Sequence, residues 1–446
     1  MAQSNSMAAV QGLFKTPILK EKILFTLLCL LIYRVGAHVT APGINPLGLT
    51  QFFQSQSGGL LGLYDLFTGG GLSRATVFAL GIMPYISSSI FFQIAAAVVP
   101  KVEKMQKEEE GRKTVEQWTR YATVALAVVQ AWGYALFAEG IQGVVANPGM
   151  AFRLEFTFFL TTGAIFVMWL GEQITEKGIG NGASLMIFFS IVERMWPSIG
   201  QAFTYVTTGA LGSFALLVLV VVMVAVVAAT VYITIGARKV LIQIPQRTMA
   251  RGRMREASRS YVPLRINAAG VMPIVFAQSV IVVPAAIAQF MGNPRLTEWS
   301  TMFNPGTVAY YVSFAVLNIF FTYFYTSIIF NPVDLAENLK KQGGFIPGVK
   351  PGARTAEYID NVMSRITLPG AIFLTFIALF PMWLIQAANA PFVFGGTSLL
   401  IVVGVALDTL QQMQQHLLLR KYDGFMKKGR IKFRGGANLG GGGGGF

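Results

Sequence analysis

The sequence predicts an all-α polytopic membrane protein, with ten transmembrane helices in two inverted halves of five. Three observations carry this expectation. Ten apolar stretches recur along 446 residues, Lys and Arg crowd into every other loop between them, and a segment of the second stretch returns in the seventh.

The stretches lie at about residues 23–40, 75–99, 121–138, 154–171, 183–205, 210–236, 267–290, 307–330, 365–386 and 393–415. Each is long enough to cross roughly 30 Å of hydrocarbon as helix. Composition agrees: with 54% hydrophobic and 12% charged residues, a soluble globule would have more apolar surface than its core could hide. Of the 35 Lys and Arg, 30 fall in the N-terminus, the even-numbered loops and the C-terminus. The opposite side holds Arg74, Arg153, Arg194 and Arg295, and Arg34 lies within the first span. The positive-inside rule then puts both termini in the cytoplasm. Residues 1–22 are polar and the first span is too long for a signal-peptide core, so no cleavable signal is expected.

Several chemistries are disfavoured. Cys29 is the single cysteine, His38 and His416 lie far apart on opposite sides, and no phosphate-binding Gly-rich loop occurs. No cofactor or metal is expected. Acidic residues within the spans are nearly confined to Glu193 and Asp408, which gives a proton or sodium relay little support. No catalytic set lies at membrane depth, so an enzyme is not expected. The inverted halves are compatible with a small-molecule secondary transporter, and with a passive channel whose energy comes from a separate protein or a gradient.

The internal repeat pairs Ala79-Leu80-Gly81-Ile82-Met83-Pro84-Tyr85-Ile86 with Ala268-Ala269-Gly270-Val271-Met272-Pro273-Ile274-Val275. Gly, Met and Pro fall in register, in the second helix of each half. An odd number of spans per half makes the halves antiparallel, and glycine with proline at this crossing points to a site there. Just before the second span, residues 57–71 hold an apolar segment flanked by Gly58, Gly59 and Gly69 to Gly71. From Leu60 to Thr68 it reaches only about 13 Å as helix, too short to span. It admits two placements: an amphipathic helix on the outer surface, or a half-helix folded back into a cavity.

Polar residues cluster in the same two spans: Ser87, Ser88, Ser89 and Gln93 in the second, Gln278 and Ser279 in the seventh. Serines in such helices bond their own carbonyls or permit close packing, and a polar seam would also ease parting of the helices. On the cytoplasmic side, the loop at about 237–266 carries Arg247, Arg251, Arg253, Arg255 and Arg259 among its eight basic residues. Guanidinium forks suit nucleic-acid phosphate or protein carboxylates better than lysine does. The loop at about 331–365 carries Lys340, Lys341 and, between two Pro-Gly turns, Lys350.

Six ordered segments carry a resemblance to one family: ALGIMPYI (79–86), GEQITEKGIGNGAS (171–184), NAAGVMP (267–273), FNPVDLAENLKK (330–341), FIPGVKPG (345–352) and FGGTSLLI (394–401). They resemble SecY, the channel-forming subunit of the bacterial Sec translocase, and cover nearly the whole chain. The resemblance implies a clamshell of two five-helix halves in the bacterial cytoplasmic membrane, around an hourglass pore. Unfolded preproteins would cross it, and transmembrane helices would leave it sideways into lipid. Carried over by motif, the apolar pore ring is Ile82, Ile86, Ile187, Val275 and Ile401. The plug is Leu60, Leu61, Leu63, Tyr64, Leu66 and Phe67, and the lateral gate includes Ser87, Ile90, Phe91, Gln93, Gln278 and Ser279.

The implied partners are SecE-like and SecG-like small membrane subunits, signal peptides and membrane lipids. The basic loops are similar to those that dock the motor ATPase SecA or the ribosome. Two departures stand out: the family usually has arginine where Lys350 stands, and the tip from Arg251 to Arg259 strays from the usual sequence. The resulting organisation is a cytoplasmic N-terminus at 1–22, a first half at 23–205, a second half at 210–416, and a cytoplasmic tail at 417–446 whose Gly-rich end is expected to be disordered.

Overall fold

The computed structural model describes residues 17–55, 59–209, 212–244, 258–291, 294–387 and 396–428. The first half holds α1 (Pro17–Gly36), α2 (Pro46–Ser55), α3 (Leu60–Phe67), α4 (Met83–Val98), α5 (Pro100–Lys107), α6 (Glu109–Gly140), α7 (Met150–Lys177) and α8 (Gly182–Thr207). Then come α9 (Ser213–Ile235), β1 (Ala237–Ile244), β2 (Ser258–Arg265), α10 (Met272–Phe290) and α11 (Pro294–Thr301). The chain continues with α12 (Val308–Ile329), α13 (Pro332–Lys341), α14 (Ala353–Ala387) and α15 (Gly396–Lys428).

Each of the ten apolar stretches carries a helix. Among the described residues, seven helices are long and apolar enough to cross a membrane, or eight if α4 and α5, bent by 112° at their junction, count as one span. Helices α1 and α8, over the first and fifth stretches, fall outside that set; α1 carries Lys20, Glu21, Lys22 and Arg34, and α8 carries Glu193 and Arg194. Apolar side chains such as Phe158, Phe214, Val224 and Val316 are exposed on the outer faces, an arrangement that lipid tolerates and water does not. The halves meet where α4 and α6 pack on α10, and where α8 packs on α15.

One expectation needs correction. The second and seventh spans were expected to be helical from residues 75 and 267, but helix begins only at Met83 and Met272. The cause is common to both: Gly81 and Gly270 take left-handed φ values of 55° and 65°, and a proline follows in the first helical turn. The repeat is therefore one of backbone geometry as well as sequence, since Ile86 N–H bonds Ile82 O at 3.1 Å and Val275 N–H bonds Val271 O at 3.3 Å. The all-α class holds, with one short strand pair added in the loop at about 237–266. β1 and β2 pair antiparallel, with Ala237 opposite Arg265 and Ile244 opposite Ser258. Alternate β1 residues Val240 and Ile242 are buried while Lys239 is exposed and Leu241 and Gln243 are half-buried, the two-residue period of a half-buried strand. The candidate span over the tenth stretch closes at Leu417, close to the expected residue 415, and α15 continues beyond it to Lys428.

The ribbon is part of a small second core. Val240, Ile242 and Leu264 pack with Leu339, Ile346, Ile359 and Met363, and Gln243 exchanges both backbone bonds with Phe345 at 2.9 and 3.0 Å. Two loops about a hundred residues apart in sequence thus form one rigid unit.

Candidate functional site

Ile82, Ile86, Ile187, Val275 and Ile401 are all buried in the one large core cluster. Ile86, Ile187 and Val275 also line a cavity of about 650 Å³. Its wall extends to Arg112 and Glu116 near the start of α6 and to Glu172 and Glu176 near the end of α7. Ile82 and Ile401 do not line that cavity; Ile82 Cδ1 lies instead against Gly171. Asn181 caps α8 by accepting the Ser184 N–H at 3.1 Å, which sets where Ile187 falls on the helix.

Helix α3 is buried on every side, so the outer-surface placement is overturned in favour of the folded-back one. Seven of its eight residues are uncharged and all eight are buried, the pattern of an interior helix. It packs against α8 of the first half and α10 of the second. The Leu60 N–H reaches Asn304 Oδ1 at 3.4 Å, and Tyr64 Oη reaches Gln130 Oε1 at 3.4 Å. Gly58 lies outside the described residues.

Of the gate residues, Ile90, Gln278 and Ser279 are buried, Ser87 and Gln93 are half-buried and Phe91 is exposed. Ser87 and Ser279 donate to carbonyls of their own helices, Met83 O at 3.1 Å and Val275 O at 2.8 Å. The Gln93 carboxamide crosses to the second half, where Tyr325 Oη on α12 donates to its Oε1 at 2.5 Å. Gln278 Nε2 donates to Tyr310 Oη at 3.3 Å.

Sequence reasoning missed Tyr325, Gln130, Asp65 and the role of Arg194. The Asp65 carboxylate pairs with the Arg194 guanidinium, and Glu193 next to it pairs with Arg34 of α1. Arg153 pairs with Glu139 at 2.7 Å and Arg74 reaches His38 at 3.2 Å. The available signal was the cost of a charge in an apolar segment, which marks each such residue as needing a partner.

Lys340, Lys341 and Lys350 are exposed on the unit built around the ribbon. Gly348 and Gly352, with φ of 82° and 103°, bracket Lys350, whose carbonyl accepts from Thr355 Oγ1 at 3.0 Å. Arg259 lies on β2; Arg247, Arg251, Arg253 and Arg255 lie outside the described residues, as do the Gly-rich C-terminal end and the first two residues of the FGGTSLLI segment.

Ten apolar helical segments in two related halves, a buried apolar cluster where the halves meet and a short buried helix beside it are the architecture of a membrane channel. The family model described as SecY matches residues 76–410, and the chain belongs to that family. It is 42% identical over 426 residues to the Aquifex aeolicus (strain VF5) protein translocase subunit SecY, covering 94% of this chain and 99% of that one. Among solved structures, it resembles one described as the structure of a protein conducting channel, with a TM-score of 0.66 at 13% identity over 93% of this chain and 95% of that one. It also resembles Sec61 in the canine ribosome-channel complex from the endoplasmic reticulum, with a TM-score of 0.62 at 14% identity over 93% of this chain and 95% of that one.

Proposed function

We infer that the chain is the protein-conducting subunit of a Sec translocase. Unfolded preproteins pass through its constriction, and sufficiently apolar helices leave between α4 and α10 into lipid. The observation that carries this reading is the cavity whose wall runs from charged residues at the ends of α6 and α7 to apolar residues contributed by both halves, Ile86 and Ile187 from one and Val275 from the other. Aliphatic side chains exclude ions by dewetting and repack around a passing chain at small cost. Arg194 is seven residues beyond Ile187, about 10 Å along α8, so the pair that holds α3 lies on the far side of the constriction.

Both termini face the cytoplasm in this reading, and the partners are SecE-like and SecG-like subunits, SecA, the ribosome, signal peptides and lipid. Lys350 and the neighbouring arginines form the docking surface, because stiff turns hold the amine outward. The relatives are translocase subunits, which favours the channel over a secondary transporter. The test is transport of a preprotein into vesicles holding the purified complex, driven by SecA and ATP. Protection of the substrate from protease is expected; none, with the complex intact, would defeat the reading.

Reversing the docking charge by Lys350→Glu is expected to slow SecA-driven export severalfold or more, while stability changes by less than about 0.5 kcal/mol, since the side chain is exposed. Added salt should weaken parent docking. Normal export by the variant would remove Lys350 from the contact.

A further inference from the structure

Asp65 is the single charged residue of α3, and its side chain is 7% exposed. A carboxylate there is expensive, and both of its oxygens are engaged. Oδ1 accepts the Ser73 N–H at 2.7 Å, and Oδ2 takes the Arg194 guanidinium. Arg194 Nη2 also reaches Ser73 Oγ at 3.4 Å. Gly70, in a left-handed turn, lies so close that a Cβ there would stand 2.9 Å from Nη2. The helix and the turn that follows it thus form a cup around one guanidinium.

The cup is fastened to the first half. Arg194 belongs to α8, and the adjacent Glu193 ties that part of α8 to Arg34 of α1. Towards the second half, α3 has apolar packing on α10 and the neutral Leu60–Asn304 bond at 3.4 Å. When the halves part, the second-half contacts separate with them, whereas α3 stays until the ion pair breaks. The carboxylate is buried while the Arg194 side chain is 32% exposed, so the pair is only partly shielded from water, and its charges become cheaper to separate as more water enters. An apolar pair of similar size would be at least as stable in the closed state, so what the charges add is a hold that weakens on wetting.

We propose that Asp65 and Arg194 form a latch that keeps α3 in place and sets how strong a signal sequence must be to open the channel. This rests on the channel reading above. The experiment uses the purified complex in vesicles, with Leu63→Cys in a Cys29→Ala background labelled by a membrane-impermeant maleimide, beside transport of a reporter whose signal sequence is weakened. Asp65→Asn and Arg194→Gln are each expected to raise labelling and weak-signal transport by roughly tenfold, the change that follows from about 1.4 kcal/mol. The double variant Asp65→Asn/Arg194→Gln should be no more open than the more open single variant, because both remove the same interaction. Arg194→Lys should recover part of the restriction, and Arg153→Gln, which breaks the α6–α7 pair, should leave it intact.

If either single variant fails to assemble, the double variant, which leaves no charge unpaired, decides by the same two measurements. Parental labelling and parental stringency in the assembled Asp65→Asn and double variants would overturn the latch. Failure of the parent to move even an intact-signal substrate would instead defeat the channel reading, and the latch's role in signal selection with it.

Discussion

Replacing Ile86 and Val275 together by asparagine is expected to make the closed channel leak ions. The two residues occupy equivalent places in the repeat, one in the first turn of α4 and the other in the first turn of α10, and both line the same cavity. Each is buried among apolar neighbours. A buried carboxamide without partners costs about 1–3 kcal/mol, and water entering the constriction relieves that cost. Wetting therefore favours open states, by about tenfold for each 1.4 kcal/mol gained. The measurement is conductance of the purified complex in planar bilayers, with export of a weak-signal reporter as the second readout. The same substitution at Val98 and Val280, which are exposed on the same two helices, should produce neither effect. Parental conductance in a correctly assembled double variant would show that the seal lies elsewhere.

The second large effect is expected from tethering α3. The Leu60 backbone lies beside Asn304, which belongs to the other half, so Leu60→Cys with Asn304→Cys in a Cys29→Ala background puts one thiol on each side of that contact for a disulfide crosslink. Oxidation should hold α3 across the seam and reduce transport to near background; reductant should restore it. Each single cysteine variant, oxidised in parallel, should transport normally. Full transport with the crosslink demonstrated on a gel would mean that α3 need not move, and the plug role would fall.

Much of this protein was legible in its sequence. Every expected apolar stretch carries a helix, and the repeat around Gly81 and Gly270 proved to be a repeat of backbone conformation. The placement of α3 was half legible: its length excluded a span, but choosing between surface and interior required its neighbours. Helix starts at the repeat were misjudged because hydropathy runs smoothly through residues 75–82, whereas the glycine φ angle and the following proline decide where the helix begins. The ribbon was missed because a basic loop has no long strand pattern, and its apolar face exists only against Leu339, Ile346 and Ile359.

By itself, the sequence determined the class of protein, the location of its apolar helical stretches and the expectation of sidedness, because apolar length and loop charge act locally along the chain. It also located the apolar candidates for the constriction, through motifs contiguous in sequence. Only the tertiary structure decided which polar groups meet. Asp65 and Arg194 are 129 residues apart, and Gln93 and Tyr325 are 232 apart. No local period encodes such pairs. They exist because a charge or amide buried among apolar helices must find a partner, and the packing of the two halves selects which one.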